Sequence, residues 1–446
     1  MINFDFLTEK TIENLVQLIR IDTTNPPGNE LPAVIWIRDL LAREGIPAGD
    51  MVILESAPGR ANLVARLRGD GSQPPLLLSG HVDVVPVEPK FWTHDPFGGE
   101  VVDGCVWGRG TADMKGFLSM YMSVFIQARQ QGLPLKRDLI LAAIADEEAG
   151  FEHGSQFLVE QHRDLIAAEY GLTESGGLTA YMGKKRVYPI QVAEKSVCWL
   201  RASTFGQPGH GSMPHEDNAV LHLAKALERL RRAGHLPIHL TPTVRRMLDS
   251  LAENLGFPLG VVLGLMRSPA LAGVLLRMLP VEQRPLFIAW LSNSVSPTVL
   301  QAGSKSNVIP SEASVHLDCR LLPGQKPEDV IRELSAVMGR QVKLEPLTTS
   351  TGAEFPVDTP LYRLMEKALK QMDGEGITFP LLMPGATDAS LYQRAGIKVY
   401  GFTPGILPPE ISLTKMAHAH DERLPVSFFR SGLPALWQVV SEICCA

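Results

Sequence analysis

The run PLLLSGHVDV (residues 75–84) constrains this chain more than any other stretch. Its apolar start reads as a strand buried on both faces, which suits a sheet sandwiched between helices better than a half-exposed one. Its end is different, because His81 and Asp83 stand there two positions apart. Alternate residues of an extended chain face the same side, so both titratable groups point into one space. A second run, DLILAAIADEE (138–148), repeats the pattern and ends in Asp146, Glu147 and Glu148. A helical pattern follows each strand: DMKGFLSMYMSVFIQARQQG (113–132), then HGSQFLVEQHRDLIAAEYG (153–171). Strand and helix in alternation predict an α/β domain with a central sheet covered on both faces.

With 446 residues the chain exceeds what one hydrophobic core usually holds, so two domains are expected. The pattern changes after Pro189. QVAEKSVCWLRASTFG alternates like a half-exposed strand, and DNAVLHLAKALERLRRAG is an amphipathic helix. Then come the strands SPTVLQAGSK and EASVHLDCRLLPG, the helix PEDVIRELSAVMG and the strand QVKLEPLTT. Strand–helix–strand–strand–helix–strand is the ferredoxin-like order. From about Ser350 the α/β character resumes, with TPLYRLMEKALKQM as helix and IKVYGFTPG as strand. An α/β domain with a ferredoxin-like domain inserted into it accounts for this order.

Charge and hydropathy exclude several classes. The net charge is -6 and there is no basic tract, so nucleic acid is not an expected partner. The stretch MINFDFLTEKTIENLVQLIRIDTT mixes acids and bases in an amphipathic pattern and is not expected to be a signal peptide. The longest apolar run, Leu255 to Met266, is too short to span a bilayer and contains Pro258, so no stable membrane insertion is expected. Cysteines at 105, 198, 319, 444 and 445 form no framework, which predicts reduced thiols in a cytoplasmic protein. Without a GxSxG turn, a serine hydrolase is poorly supported.

The acids and histidines at the strand ends suggest a metal. A catalytic zinc site draws on His and carboxylates, and in α/β folds the ligands lie past the carboxyl ends of strands. Candidates recur there: His81, Asp113 in VWGRGTADMKG, Glu147 and Glu148 in DEEAG, Glu174 in YGLTESGG, and His418, Asp421 and Glu422 in MAHAHDERLP. Taken singly, Asp113 suits a helix N-cap, the acids of DEEAG suit the start of a helix, and His81 suits a hydrogen-bonded core. Together they favour a cation, because adjacent carboxylates raise each other's pKa unless one compensates them.

The segments SGHVDVVP, GRGTADMKG, DEEAG, TESGG and HAHDERLP, in that order, resemble the motifs of a dinuclear zinc family. It holds aminoacylase-1, carboxypeptidase G, acetylornithine deacetylase, succinyl-diaminopimelate desuccinylase and the carnosinases. IDTTNPPGNE, GQPGHGSMPHEDNAV and GSKSNVIPSEASVHLDCRLLPG extend the resemblance from about residue 10 to 430. It implies a zinc-peptidase catalytic domain with a central mixed sheet in residues 1–192 and 351–446. A ferredoxin-like α+β lid and dimerisation domain would fill 193–350. It implies two zinc ions per subunit, with cobalt or manganese as alternatives that the same ligands suit. Asp113 would bridge them, His81 and Glu174 would hold one, and Glu148 and His418 the other. His418 is chosen over His420 because the family's ligand stands four residues before a glutamate, here Glu422.

By the same resemblance Asp83 would orient the His81 ring and Glu147 would be the general base. His210 of a homodimer's other subunit would stabilise the oxyanion, and Asn307 and Arg320 would hold substrate. Gly385, in PGATDASLYQ, would let the backbone approach it closely. The expected activity is hydrolysis of an amide or peptide bond next to a free carboxylate, in N-acyl amino acids or short peptides. A carboxypeptidase or dipeptidase is the alternative within the family. A non-catalytic binding homologue is the alternative outside it, but such a protein should have lost ligands or the base, and none is missing. One segment exceeds what the fold needs, LGFPLGVVLGLMRSPALAGVLLRMLP (255–280). It is expected to be a helical pair packed on its own domain, or else the wall of an apolar channel for a long or aromatic acyl group.

Overall fold

The apolar runs at 76–81 and 139–144 form buried strands that end where the titratable residues begin. In the computed structural model, which describes residues 2–446, the principal strands in chain order are β1 (Met51–Ala57), β2 (Arg60–Leu67), β3 (Leu76–His81), β4 (Leu139–Ile144), β5 (Tyr170–Thr173), β6 (Lys185–Glu194), β7 (Ser196–Phe205), β8 (Ser294–Ala302), β9 (Glu312–Leu321), β10 (Lys343–Thr349) and β11 (Lys398–Gly401). The chain divides into two compact units. One contains the chain up to Val192 with Phe355–Pro380 and Thr387–Ala446, and the other contains Ala193–Glu354 with Leu381–Ala386.

The first unit holds a mixed sheet in the order β1-β2-β4-β3-β5-β11-β6. Its middle strands β4, β3, β5 and β11 are parallel, and the flanking pairs are antiparallel. Every residue of β3 and β4 is buried, as continuous apolar runs require. The helix Lys115–Gln130 is buried from Lys115 to Ala128, which explains why its sequence shows no polar face. Parallel strands bring their carboxyl ends to one edge. His81 therefore ends β3, Asp146 to Glu148 follow β4, and Glu174 follows β5 at the same rim. Close packing beneath that rim demands a glycine. A Cβ at Gly154 would stand 1.7 Å from the Ala145 carbonyl oxygen, so a larger residue would push the turn after β4 out of place.

The second unit has a four-stranded antiparallel sheet in the order β8-β9-β7-β10. The helices Ala219–Ala233 and Pro327–Met338 contribute Leu223, Leu334 and Met338 to a core shared with Leu200 and Leu317. Asn218 starts the first of these helices by accepting from the Val220 N–H, and Gly234, at φ 77, ends it. Four more helices, Pro242–Leu255, Leu259–Leu265, Pro269–Met278 and Arg284–Leu291, precede β8.

Two local expectations are corrected. The single strand expected over QVAEKSVCWLRASTFG is broken at Lys195, whose ammonium is buried and donates to the carbonyls of Ala289 and Ser292 (both 2.9 Å) and to Ser294 Oγ (3.1 Å). Burial pulls this lysine down to about 7. The single helix expected over HGSQFLVEQHRDLIAAEYG is two short ones, Ser155–Gln161 and Arg163–Ile166, and its last residues enter β5.

Candidate metal centre

His81 closes β3 with its ring buried, and two contacts fix how that ring faces. Nδ1 lies 3.0 Å from the Asp83 carbonyl oxygen and 3.4 Å from Asp83 Oδ1, which leaves Nε2 for the opposite side. There it meets Asp113 Oδ1 at 3.1 Å and Glu174 Oε2 at 3.9 Å. The other oxygen of Asp113 lies 3.3 Å from His418 Nε2, which in turn lies 3.0 Å from Glu148 Oε2. Two groups of three result, His81–Asp113–Glu174 and Asp113–Glu148–His418, joined by one carboxylate that offers a separate oxygen to each.

Asp113 is free for this because it does not cap the helix behind it. Met114 occupies the N-cap position, without a side-chain cap. The loop carrying Asp113 is held instead by Glu422, a fully buried residue 309 positions away. Its carboxylate accepts from the backbone N–H of Gly110 (3.1 Å), Ala112 (2.6 Å) and Asp113 (3.1 Å), and from Arg109 Nη1 (2.6 Å). Burial raises this carboxyl to about 7 even against the Arg109 charge. Asp421 turns elsewhere, onto the Thr93 N–H and hydroxyl. His420 packs against the Phe91 ring at 5.1 Å and joins neither group of three.

The acids after β4 separate by role. Asp83 accepts from the backbone N–H of Glu147 and Glu148, each at 3.1 Å, and from Asn25 Nδ2 at 2.9 Å. Burial works against the Asp83 carboxylate, but these bonds and His81 hold it below its usual range. Asp146, in the left-handed region at φ 63, turns away to Asn25 Nδ2 (2.9 Å) and Arg60 Nη2 (2.8 Å). Arg60 is itself clamped on Glu30 by two bonds of 2.8 Å. These acids therefore do not serve the next helix, which begins only at Ser155.

The electrostatics ask for cations. Burial, then neighbouring carboxylates, push Glu147 and Glu174 well above the carboxylate range, and burial raises Glu148 as well. Bonds to Asp113 and Glu148 lift His418 to about 10, and bonds to Asp113 and Asp83 lift His81 against the opposing effect of burial. Protons on the imidazoles thus offset part of the negative charge. One acceptor still lacks a partner: Glu148 Oε1 is buried with no hydrogen bond. An orphaned carboxylate oxygen within two sets of His and carboxylate donors fits a pair of divalent ions.

Three contributors were not legible in the sequence. Arg60 carries no motif signal, and Asn25 stands in IDTTNPPGNE, a segment of the resemblance that does not by itself point to that residue. Asp388 does lie in a quoted segment, PGATDASLYQ, where only Gly385 was singled out. Asp388 is buried, accepts a short hydrogen bond from Ser155 Oγ, and is raised to about 7 by burial. Its charge also helps to raise Glu147 and Glu174.

The remaining expected residues belong to the second unit. His210 is exposed. Its Nδ1 accepts from the Ser212 N–H at 3.2 Å, which leaves Nε2 as the donor. The pairing of Gly209–His210 with Val308–Ile309, and the Gly211 N–H bond to the Asn307 carbonyl (2.8 Å), bring Asn307 beside it. Arg320 is not brought there. It sits at the far end of β9, roughly 26 Å along the strand from Glu312 at about 3.3 Å per residue. It is also engaged with Asp318, at 2.8 and 3.2 Å. At Gly385 an added Cβ would meet only Met383, at 4.0 Å, so the chain itself does not require a glycine there.

The chain is similar to known proteins. The model of peptidase family M20/M25/M40 matches residues 77–442. Aminoacylase-1 of Sus scrofa is 26% identical over 444 residues, covering 96% of this chain and 93% of its own. The N-fatty-acyl-amino acid synthase/hydrolase of Homo sapiens is 27% identical over 385 residues, covering 84% and 75%. The M20 family metallo-carboxypeptidase of Sulfolobus solfataricus superposes with a TM-score of 0.70 at 17% identity, covering 97% of this chain and 98% of that one, a likeness of fold.

Loading the metal-free protein should release protons, that of the His418 imidazole among them. Because His418 is raised to about 10, apparent metal affinity should climb with pH across the neutral range. Titration calorimetry in buffers of different ionisation enthalpy measures the proton release. A release of zero at pH 7 would show that the histidines are neutral in the metal-free state.

Proposed function

The chain belongs to peptidase family M20/M25/M40, and on that footing we propose a dinuclear-metal amidohydrolase that cleaves the amide bond of N-acyl amino acids with large apolar acyl groups. The observation that carries the reading is the Asp113 carboxylate shared between two three-residue groups, with Glu147 beside them but in neither. His81, Asp113 and Glu174 would hold one ion, and Asp113, Glu148 and His418 the other. Zinc is the proposed metal. Two such ions supply a polarised carbonyl and a water acidic enough to attack at neutral pH.

The chain's own residues do the rest. Asp83 fixes the His81 ring on one side and grips the Glu147 and Glu148 N–H groups on the other, so one carboxylate sets the direction of three. Glu147, raised by burial and by its neighbours, takes the proton of the attacking water and hands it to the leaving amine. Glu422 keeps the Asp113 loop from moving as charge develops. His210, with Nε2 left as a donor, is proposed to hydrogen-bond the oxyanion from the other subunit of a homodimer, and Asn307 stands beside it. Arg320 would have to exchange Asp318 for a substrate carboxylate, and Gly385 offers open backbone. Free thiols at all five cysteines support a cytoplasmic location. Among the described residues, no helix is long and apolar enough to cross a membrane.

Glu147→Gln should keep its metal and lose about 10²–10⁴-fold in kcat. Glu148→Gln should lose metal, as read by elemental analysis of the dialysed proteins. Normal metal in both variants, with only the second inactive, would reverse their roles.

Mixing His210→Ala with Glu147→Gln subunits should restore activity in heterodimers, since one site then has both groups. No recovery despite proven subunit exchange would place the histidine's action within its own chain, or nowhere.

Each added acyl methylene that is buried contributes about 0.8 kcal/mol, so kcat/KM should rise severalfold per carbon from N-acetyl to longer N-acyl amino acids. The relatives that act on N-fatty-acyl amino acids point the same way. A flat response to acyl length, with dipeptides preferred, would favour the dipeptidase reading.

A further inference from the structure

Two successive helices of the second unit have no polar face. From Leu255 to Val281 the only side chains that are not apolar are Arg267, Ser268 and Arg277. The inward faces of helices Leu259–Leu265 and Pro269–Met278 bury Leu263, Ala272 and Leu276. A helical pair packed on its own domain explains that side. The outward side is just as apolar and lies open. Val261 and Leu265 lie on the outer side of the first helix, with Phe257 just ahead of it, and Leu271, Val274 and Met278 on that of the second, at 45% to 89% exposure. Single exposed apolar residues are ordinary, but two stripes at helical spacing on successive helices mark an interaction surface.

The chemistry of the surface selects what covers it. Helices of 7 and 10 residues fall far short of the ~20 needed to cross hydrocarbon, so they can only lie on it. The charges within and around the stripes are mostly cationic. Between Arg245 and Arg284 the chain has five arginines and three acids, within a protein of net charge -6; Arg267 is paired with Asp249 at 3.0 Å, which leaves four arginines against two acids, neither of them between Leu255 and Val281. Arg277 is exposed beside Met278. A protein partner would be met by hydrogen-bonding groups around an apolar centre, and here Ser268 is the only neutral polar side chain. Apolar stripes with arginines beside them instead match an element whose side chains sink into the acyl boundary while guanidinium groups meet phosphates.

We propose that helices Leu259–Leu265 and Pro269–Met278 dock the protein reversibly on an anionic lipid surface, lying in the interface without crossing it. The proposal is independent of the substrate reading, and its readout is binding, not hydrolysis. The full chain should co-sediment with vesicles of phosphatidylcholine and phosphatidylglycerol, and less with phosphatidylcholine alone or in high salt. The double variant Val261→Glu/Val274→Glu should bind about a hundredfold more weakly, the worth of two buried valines. Arg277→Glu should lose the preference for anionic vesicles. All these positions are exposed, and circular dichroism and thermal melting check that the variants fold. Three results would overturn the proposal: no vesicle binding, equal binding by the double variant, or equal binding to neutral vesicles. Sedimentation velocity tests a second copy as the occupant, and self-association lost in the double variant without any vesicle binding would also overturn it.

Discussion

Carboxylates crowded into one buried space at the edge of a parallel sheet govern the rest of the first unit. Two unit charges 4 Å apart repel by about 4 kcal/mol at an effective dielectric near 20. Burial and this repulsion together raise Glu147, Glu148 and Glu174. Such a cluster holds its shape only if other groups fix it from outside. Asp83 and Glu422, both fully buried, do so by accepting hydrogen bonds that the metal would not use. The protein thereby separates its acids. Those that it satisfies itself are structural, and those that it leaves short of partners face the space between the histidines.

The same logic explains how three consecutive acids acquire three fates. Asp146 adopts a left-handed backbone and turns to Arg60 and Asn25. Glu148 faces His418, and Glu147 lies between the two, next to the cluster but outside both groups of three. That place suits the proton carrier proposed for Glu147, near enough to feel the charge and not committed to holding an ion. Asp83 secures it by gripping two successive N–H groups, which sets the side chains of Glu147 and Glu148 without touching either.

The second unit uses its residues differently. Its sheet and two main helices make a self-contained core, with Leu317 and Leu334 fully buried. The helices between Pro242 and Leu291 add length that this core does not need. Their outward apolar side chains would weaken solubility if nothing covered them, and they are the part of the unit where sequence and packing disagree most.

What the sequence determined by itself was periodic or countable. Continuous apolar runs gave β3 and β4 their burial on both faces, because side chains alternate whatever the fold. The order of strands and helices gave the second unit its topology. The resemblance, counted back from Glu422, pointed to His418, which joins the cluster, and not to His420, which packs on Phe91. Tertiary structure decided whatever depended on distance through space. Glu422 braces a loop 309 residues away, Asp388 adds its charge beside Glu147, and Arg320 lies far along β9 from Asn307. No local pattern encodes these, since a hydrogen bond between remote segments leaves no period in the chain. The outward apolar stripes of 255–281 belong here too. Hydropathy shows that a segment is apolar, but only packing shows which of its faces finds a partner within the fold.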